Sequence, residues 1–89
     1  MDDADLFLRK YPIKDLEQNI HRLSLTVLLQ TQVLTPAFCA KYIWGVNDKY
    51  AKNDLDETIY MRDILKWQPH LTEADIYREM QVSVQIIYA

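Results

Sequence analysis

The chain has little of what small folds commonly use to staple themselves or to do chemistry. Among its 89 residues there is one cysteine, Cys39, so no internal disulfide can form and the expected compartment is the reducing cytoplasm. There is one glycine, Gly45, and there are three prolines. That scarcity excludes glycine-rich phosphate loops and argues against a β-sandwich with its many tight turns. No apolar run approaches the ~20 residues a helix needs to cross a bilayer. The acidic opening at Asp2, Asp3 and Asp5 is the opposite of a basic leader. No membrane partner is expected.

Charge of one sign is lacking too. Ten basic and thirteen acidic residues leave a net charge of −3, and the bases are scattered from Arg9 to Arg78. Without a basic patch, nucleic acid is not the expected ligand, and the acidic excess is too mild for a DNA mimic. Asp54 and Asp56 invite a calcium reading. Such a loop needs glycine at its sixth position and glutamate at its twelfth, where this chain has Ile59 and Leu65. A zinc site drawn from Cys39, His21 and His70 would contain no short-range ligand pair. Neither histidine is close enough in sequence to turn Cys39 into a thiolate. The pairs Asp15–Glu17 and Asp54–Asp56 have no apolar setting that would raise a pKa. No catalytic residue, metal or cofactor is expected, and the chain reads as a binding protein rather than an enzyme.

What is present is helical patterning. Ile13, Leu16, Ile20, Leu23, Val27 and Leu34 recur along one face, with Pro12 suited to a first helical position and Pro36 forcing a stop. The spacing predicts one long helix over residues 12–34. Leu25, Leu28, Leu29 and Val33 broaden its stripe beyond a coiled-coil seam, as for a helix covered by several neighbours. Shorter helices are expected over residues 2–10, over 36–44 behind a Thr35 cap, and over 58–67 before Pro69. Another starts at Thr72, where Asp75 completes a capping pattern and Leu71 can staple onto Ile76. Residues 46–57 read as a polar loop with one helical turn. In the tail, Val82, Val84 and Ile86 alternate as in a strand, whereas Val84 and Ile87 suit a continued helix. The expected fold is all-α, mostly helical: a single domain over residues 1–89 with four to five helices around one long central helix. A short C-terminal strand is the alternative for the tail.

Two functional readings follow. The helices flanking residues 68–71 have helix-turn-helix spacing. The run His70 to Met80, HLTEADIYREM, resembles the helix before the reading helix in winged-helix repressors of the ferric-uptake type. That resemblance implies a recognition helix and a wing beyond it, and makes a DNA-binding regulator the alternative reading. The nine residues after Met80 carry no arginine or asparagine to read bases, and Glu73, Asp75 and Glu79 would face the phosphates.

The first reading rests on aromatics. Six tyrosines and two tryptophans are many for this length, and such residues anchor protein contacts. Trp44, Tyr50, Trp67 and Tyr88 fall at element ends or in loops, and Val84 and Ile86 make the tail apolar. The same aromatics could equally complete a small core. The expectation is a small cytoplasmic interaction module, an adaptor, inhibitor or regulator acting by stoichiometric binding. Its partner-binding residues would be Trp44, Tyr50, Trp67, Val84, Ile86 and Tyr88. Because a small core with an apolar tail gains from a partner, a homodimer or higher state is expected.

Overall fold

The computed structural model describes the backbone of residues 1–45 and 47–88 and the side chains of residues 1–45 and 49–80. Among these it contains helices and turns and no strand. The helices are α1 (Asp3–Leu6), α2 (Ile13–Gln18), α3 (Leu25–Thr31), α4 (Pro36–Tyr42), α5 (Asn47–Tyr50), α6 (Asp54–Glu57), α7 (Met61–Trp67) and α8 (Glu73–Tyr88), with a 3₁₀ turn at Ile20–Arg22.

Helix starts follow from local chemistry. Asp2 accepts from the N–H groups of Ala4 and Asp5 while Asp5 accepts from that of Asp2, a reciprocal box that opens α1. Thr35 accepts from the Phe38 N–H at 3.1 Å, with Pro36 in the first turn of α4. Thr72 accepts from the Asp75 N–H at 3.2 Å. Past α4, Gly45 takes a φ of 77°, a left-handed conformation that suits a residue without Cβ.

The expected rod over residues 12–34 does not form. It is broken into α2, the 3₁₀ turn and α3, with Leu23 and Ser24 in extended conformation between them. The apolar spacing survives the break because Leu16, Ile20, Leu23 and Leu28 still face one interior. What the spacing does not register is that Ser24 is a cap, and that α3 needs partners for its first N–H groups. Helices expected over 2–10 and 58–67 are also shorter, at Asp3–Leu6 and Met61–Trp67. The stretch 46–57 contains α5 and α6. The tail follows the helical alternative, since α8 continues to Tyr88; its side chains from residue 81 lie outside the described ones.

Packing joins elements well apart in the chain. α1 lies on α3, α3 on α7, and α8 runs along α4. α2 is tied to α4 by the Tyr42 hydroxyl, which donates to Glu17 at 3.0 Å, and by the Lys41–Glu17 ion pair at 3.5 Å. The core has Leu16, Leu23, Leu25, Leu28, Ile64 and Ile76 fully enclosed. At roughly 1.5–3 kcal/mol per fully buried aliphatic side chain, this cluster is the main source of stability.

Candidate functional site

Short helices leave many unpaired backbone groups, and three buried polar side chains satisfy them here. The first is Asp56. Its Oδ1 accepts from the hydroxyls of Ser24 and Thr26, each at 2.8 Å, and from the Thr26 N–H at 2.9 Å. Its Oδ2 accepts from the N–H groups of Leu25 at 3.1 Å and Lys52 at 2.9 Å. Ser24 donates its own N–H to Asp3 and accepts that of Val27. Every N–H at the start of α3 is thereby paired, and a carboxylate sits at the positive end of that helix. Burial pushes the Asp56 carboxyl up. The N–H groups of Thr26 and Lys52 and the hydroxyls of Thr26 and Ser24 outweigh that and hold it below the ordinary carboxylate value.

The other two are Gln32 and Gln68, and they do the same thing twice. Gln32 Nε2 donates to the carbonyls of Leu6 and Arg9, both at 3.0 Å, and its Oε1 accepts from the Tyr11 N–H at 2.8 Å. Gln68 Nε2 donates to the carbonyls of Leu29 and Gln32, both at 2.7 Å, and its Oε1 accepts from the Leu34 N–H at 2.8 Å. In each case the amide spans a carbonyl, the carbonyl three residues on and the N–H five residues on. Two acceptors and one donor fix which end of each amide faces which group.

The matching clasps define three similar units, helix pairs joined by a turn (α1–α2, α3–α4 and α7–α8), the first two turns held by the glutamine of the following unit. Arg9, Gln32 and Gln68 occupy one position in successive units. Pro12, Thr35 and Thr72 stand next, each immediately before the second helix of its unit. Leu16, Cys39 and Ile76 then share a position in those second helices, and each is fully buried. Cys39 is thus a packing residue, and burial pushes its thiol up to about 12. A thiol that stays protonated at neutral pH is a poor nucleophile. Sequence reading passed over Gln32 and Gln68, and weighed Asp56 only as a calcium ligand or as a carboxylate without an apolar setting, whereas it is fully buried. The signal for the first two was legible: Gln32 precedes Leu34-Thr35 as Gln68 precedes Leu71-Thr72, one residue longer. Asp56 carried no comparable signal.

Two grooves lie among the described residues. One, about 220 Å³, is lined by Leu55, Ile59 and Trp67 with Thr26, Thr58 and Asp63 at its edge. Leu55 and Trp67 are 68% and 43% exposed there, and Tyr60, next to Ile59 in the chain, is also exposed. The other, about 350 Å³, runs along Phe7, Leu8, Arg9 and Lys10 to Gln30 and Thr31, and the Lys10 ammonium donates to the Thr31 carbonyl.

Of the residues singled out in the sequence, Trp67 borders the first groove, with the Lys66 ammonium 5.3 Å from its ring. Trp44 is half-buried, edge-on to Tyr77 with ring centres 6.2 Å apart. Tyr50 is half-buried against Tyr42, with ring centres 5.1 Å apart, and the His21 ring centre is 6.2 Å from its own. The three are not brought together into one patch. Val84, Ile86 and Tyr88 lie on α8, and their side chains fall outside the described residues. His70 Nε2 is 2.7 Å from the Leu34 carbonyl, on the turn that Gln68 also holds. Among the described residues no three histidine, cysteine or acidic side chains converge as a metal site. None of their helices is long and apolar enough to cross a membrane.

No protein-family model, curated protein or solved structure matches this chain.

Proposed function

We propose that the protein is a small cytoplasmic interaction module that works by stoichiometric binding, self-associates, and carries no catalysis of its own. The observation that carries the reading is the groove at Leu55, Ile59 and Trp67, where two large apolar side chains stand exposed above a rigid wall formed by α3, α6 and α7. An aromatic beside an exposed aliphatic residue, flanked by polar groups, is the composition of a binding hot spot with its rim. Trp44 and Tyr50, expected from the sequence to bind the partner too, pack against Tyr77 and Tyr42 and are not among the groove's lining residues. A cytoplasmic setting suits a chain whose one thiol is buried and protonated. The DNA-binding alternative is the weaker one, because the helix that would face phosphates opens with Glu73 and Asp75.

The test is affinity purification from native extract, comparing the protein with its Leu55→Asp, Trp67→Ala double variant. A partner retained by the first and lost by the second supports the reading. Recovery of the same set by both, or of nothing above background, would end it.

A further inference from the structure

The connection between the second and third units is not built like the one before it. From α2 to α3 the chain uses residues 19–24, with Ile20 and Leu23 buried in the core. From α4 to α7 it runs over residues 43–60 and carries α5 and α6 as an insertion. Within residues 49–60 only Asp56 and Ile59 are buried, while Tyr50 and Ala51 are half-buried. A segment attached to its domain by so little apolar surface opens at a lower free energy than the core it lies on.

What holds this segment down is chiefly polar. From the start of α3, Asp56 takes the Ser24 hydroxyl, the Leu25 N–H, and both the N–H and the hydroxyl of Thr26. From the segment itself it takes the Lys52 N–H. Asn53 caps α6 by accepting the Asp56 N–H at 2.9 Å, so the backbone that carries the carboxylate is fixed as well.

The same residues build the groove. Leu55, Thr58 and Ile59, close to Asp56 in the chain, line it together with Thr26 and Leu29 of α3 and Asp63 and Trp67 of α7. Thr26 belongs to both arrangements, since it lines the groove and donates twice to Asp56. We propose that residues 49–60 are a strap that lifts independently of the core, that Asp56 is its latch, and that the groove exists only while the strap is latched. Latched, the wall at α3, α6 and α7 is rigid; released, Leu55, Thr58 and Ile59 leave Trp67 behind. A partner that fills the groove touches strap, α3 and α7 at once, so it binds the latched state alone and holds the latch shut. For its partner this rests on the groove reading of the proposed function; the strap itself is tested without one.

The experiment is native-state amide exchange followed by nuclear magnetic resonance on the full chain, for the protein, for Asp56→Asn and for Ile76→Val. Ile76 is fully buried in α8, so its substitution lowers stability without touching the latch. In the unsubstituted protein the N–H groups of Leu25, Thr26 and Lys52 should be protected at least about tenfold less than those of Cys39 and Ile43, which bond within α4. Asp56→Asn should lower the first group's protection a further tenfold or so, the scale of one lost charge-assisted hydrogen bond, and lower that of α4 less. It should also move the Trp67 indole resonance and leave that of Trp44, which packs on Tyr77. Ile76→Val should lower both groups alike and leave the Trp67 resonance in place. Equal protection of the two groups in the unsubstituted protein, or a common fall in Asp56→Asn, would overturn the strap, because the segment would then open only with the whole domain. A released strap with an unmoved Trp67 resonance would overturn its tie to the groove. In affinity purification, a partner kept by Ile76→Val should be lost by Asp56→Asn, and one kept by both would overturn the coupling. Recovery of no partner by any form would end the groove reading, while the exchange rates still decide the strap.

Discussion

Asp56 and the two glutamine clasps solve one problem by opposite means. Both bury a polar side chain to satisfy backbone groups that short helices leave open. Asp56 does so with a charge, gathering donors at the positive end of α3, where a carboxylate is electrostatically favoured. Gln32 and Gln68 face turns that present two carbonyls and one N–H, a mixed set that no ion could satisfy. The charge is used once, at a unique junction between α3 and α6; the neutral amide is used repeatedly, where units stack.

The comparison can be broken most forcefully at Asp56. Asp56→Ala should cost roughly 3 kcal/mol or more, because it strips partners from the N–H groups of Leu25 and Thr26 and from two hydroxyls at once. Chemical denaturation will measure it, and a loss under about 1 kcal/mol would mean that water replaces the carboxylate. The pH dependence follows from the same contacts. A carboxyl whose folded pKa is depressed stabilises above its unfolded pKa, and that contribution fades as pH falls through the folded value. The stability difference between the protein and Asp56→Asn should therefore be constant near neutrality and shrink below about pH 4.

At the clasps, Gln68→Leu should cost roughly 2–4 kcal/mol, leaving three buried backbone groups without partners. Gln68→Glu sharpens the contrast with Asp56, because its pH response runs the other way. Two carbonyls disfavour the carboxylate and raise its folded pKa, so this variant should be most stable in acid and weaken as pH rises through that value. A melting temperature that tracks the unsubstituted protein across the range would contradict the described role of the amide. The smallest effect is expected at the first clasp. Gln32→Leu should cost roughly 1–2 kcal/mol, since the exposed Arg9 and half-buried Tyr11 let water reach the freed groups. If it cost more than Gln68→Leu, solvent access would not be what separates the two.

How far the sequence could be read depends on how far apart interacting residues lie along the chain. Asp2, Thr35 and Thr72 announce their helices because a cap bonds within three residues of itself. Pro36 marks the start of α4 through its fixed φ, and Gly45 lies just past that helix's end through its freedom to take a positive φ. The apolar spacing of Leu16, Ile20, Leu23 and Leu28 names core residues correctly even though the helix it suggested is broken. Period reports which side of the chain is buried, and a 3₁₀ turn followed by a capped restart keeps that side inward.

By itself, then, the amino-acid order determined that the chain is helical, that most of the aliphatic residues it singled out are enclosed (Val33, which is exposed, is an exception), and where α1, α2, α4 and α8 start. Only the tertiary structure decided that residues 12–34 divide at Ser24. The break is stabilised by Asp56, some thirty positions further along, and the turn at 29–34 is closed by Gln68 from more than thirty positions away. Such partners carry no local mark, because an aspartate or glutamine on a polar segment looks the same whether it faces water or a backbone. Its role is set by what the fold brings within about 3 Å of it.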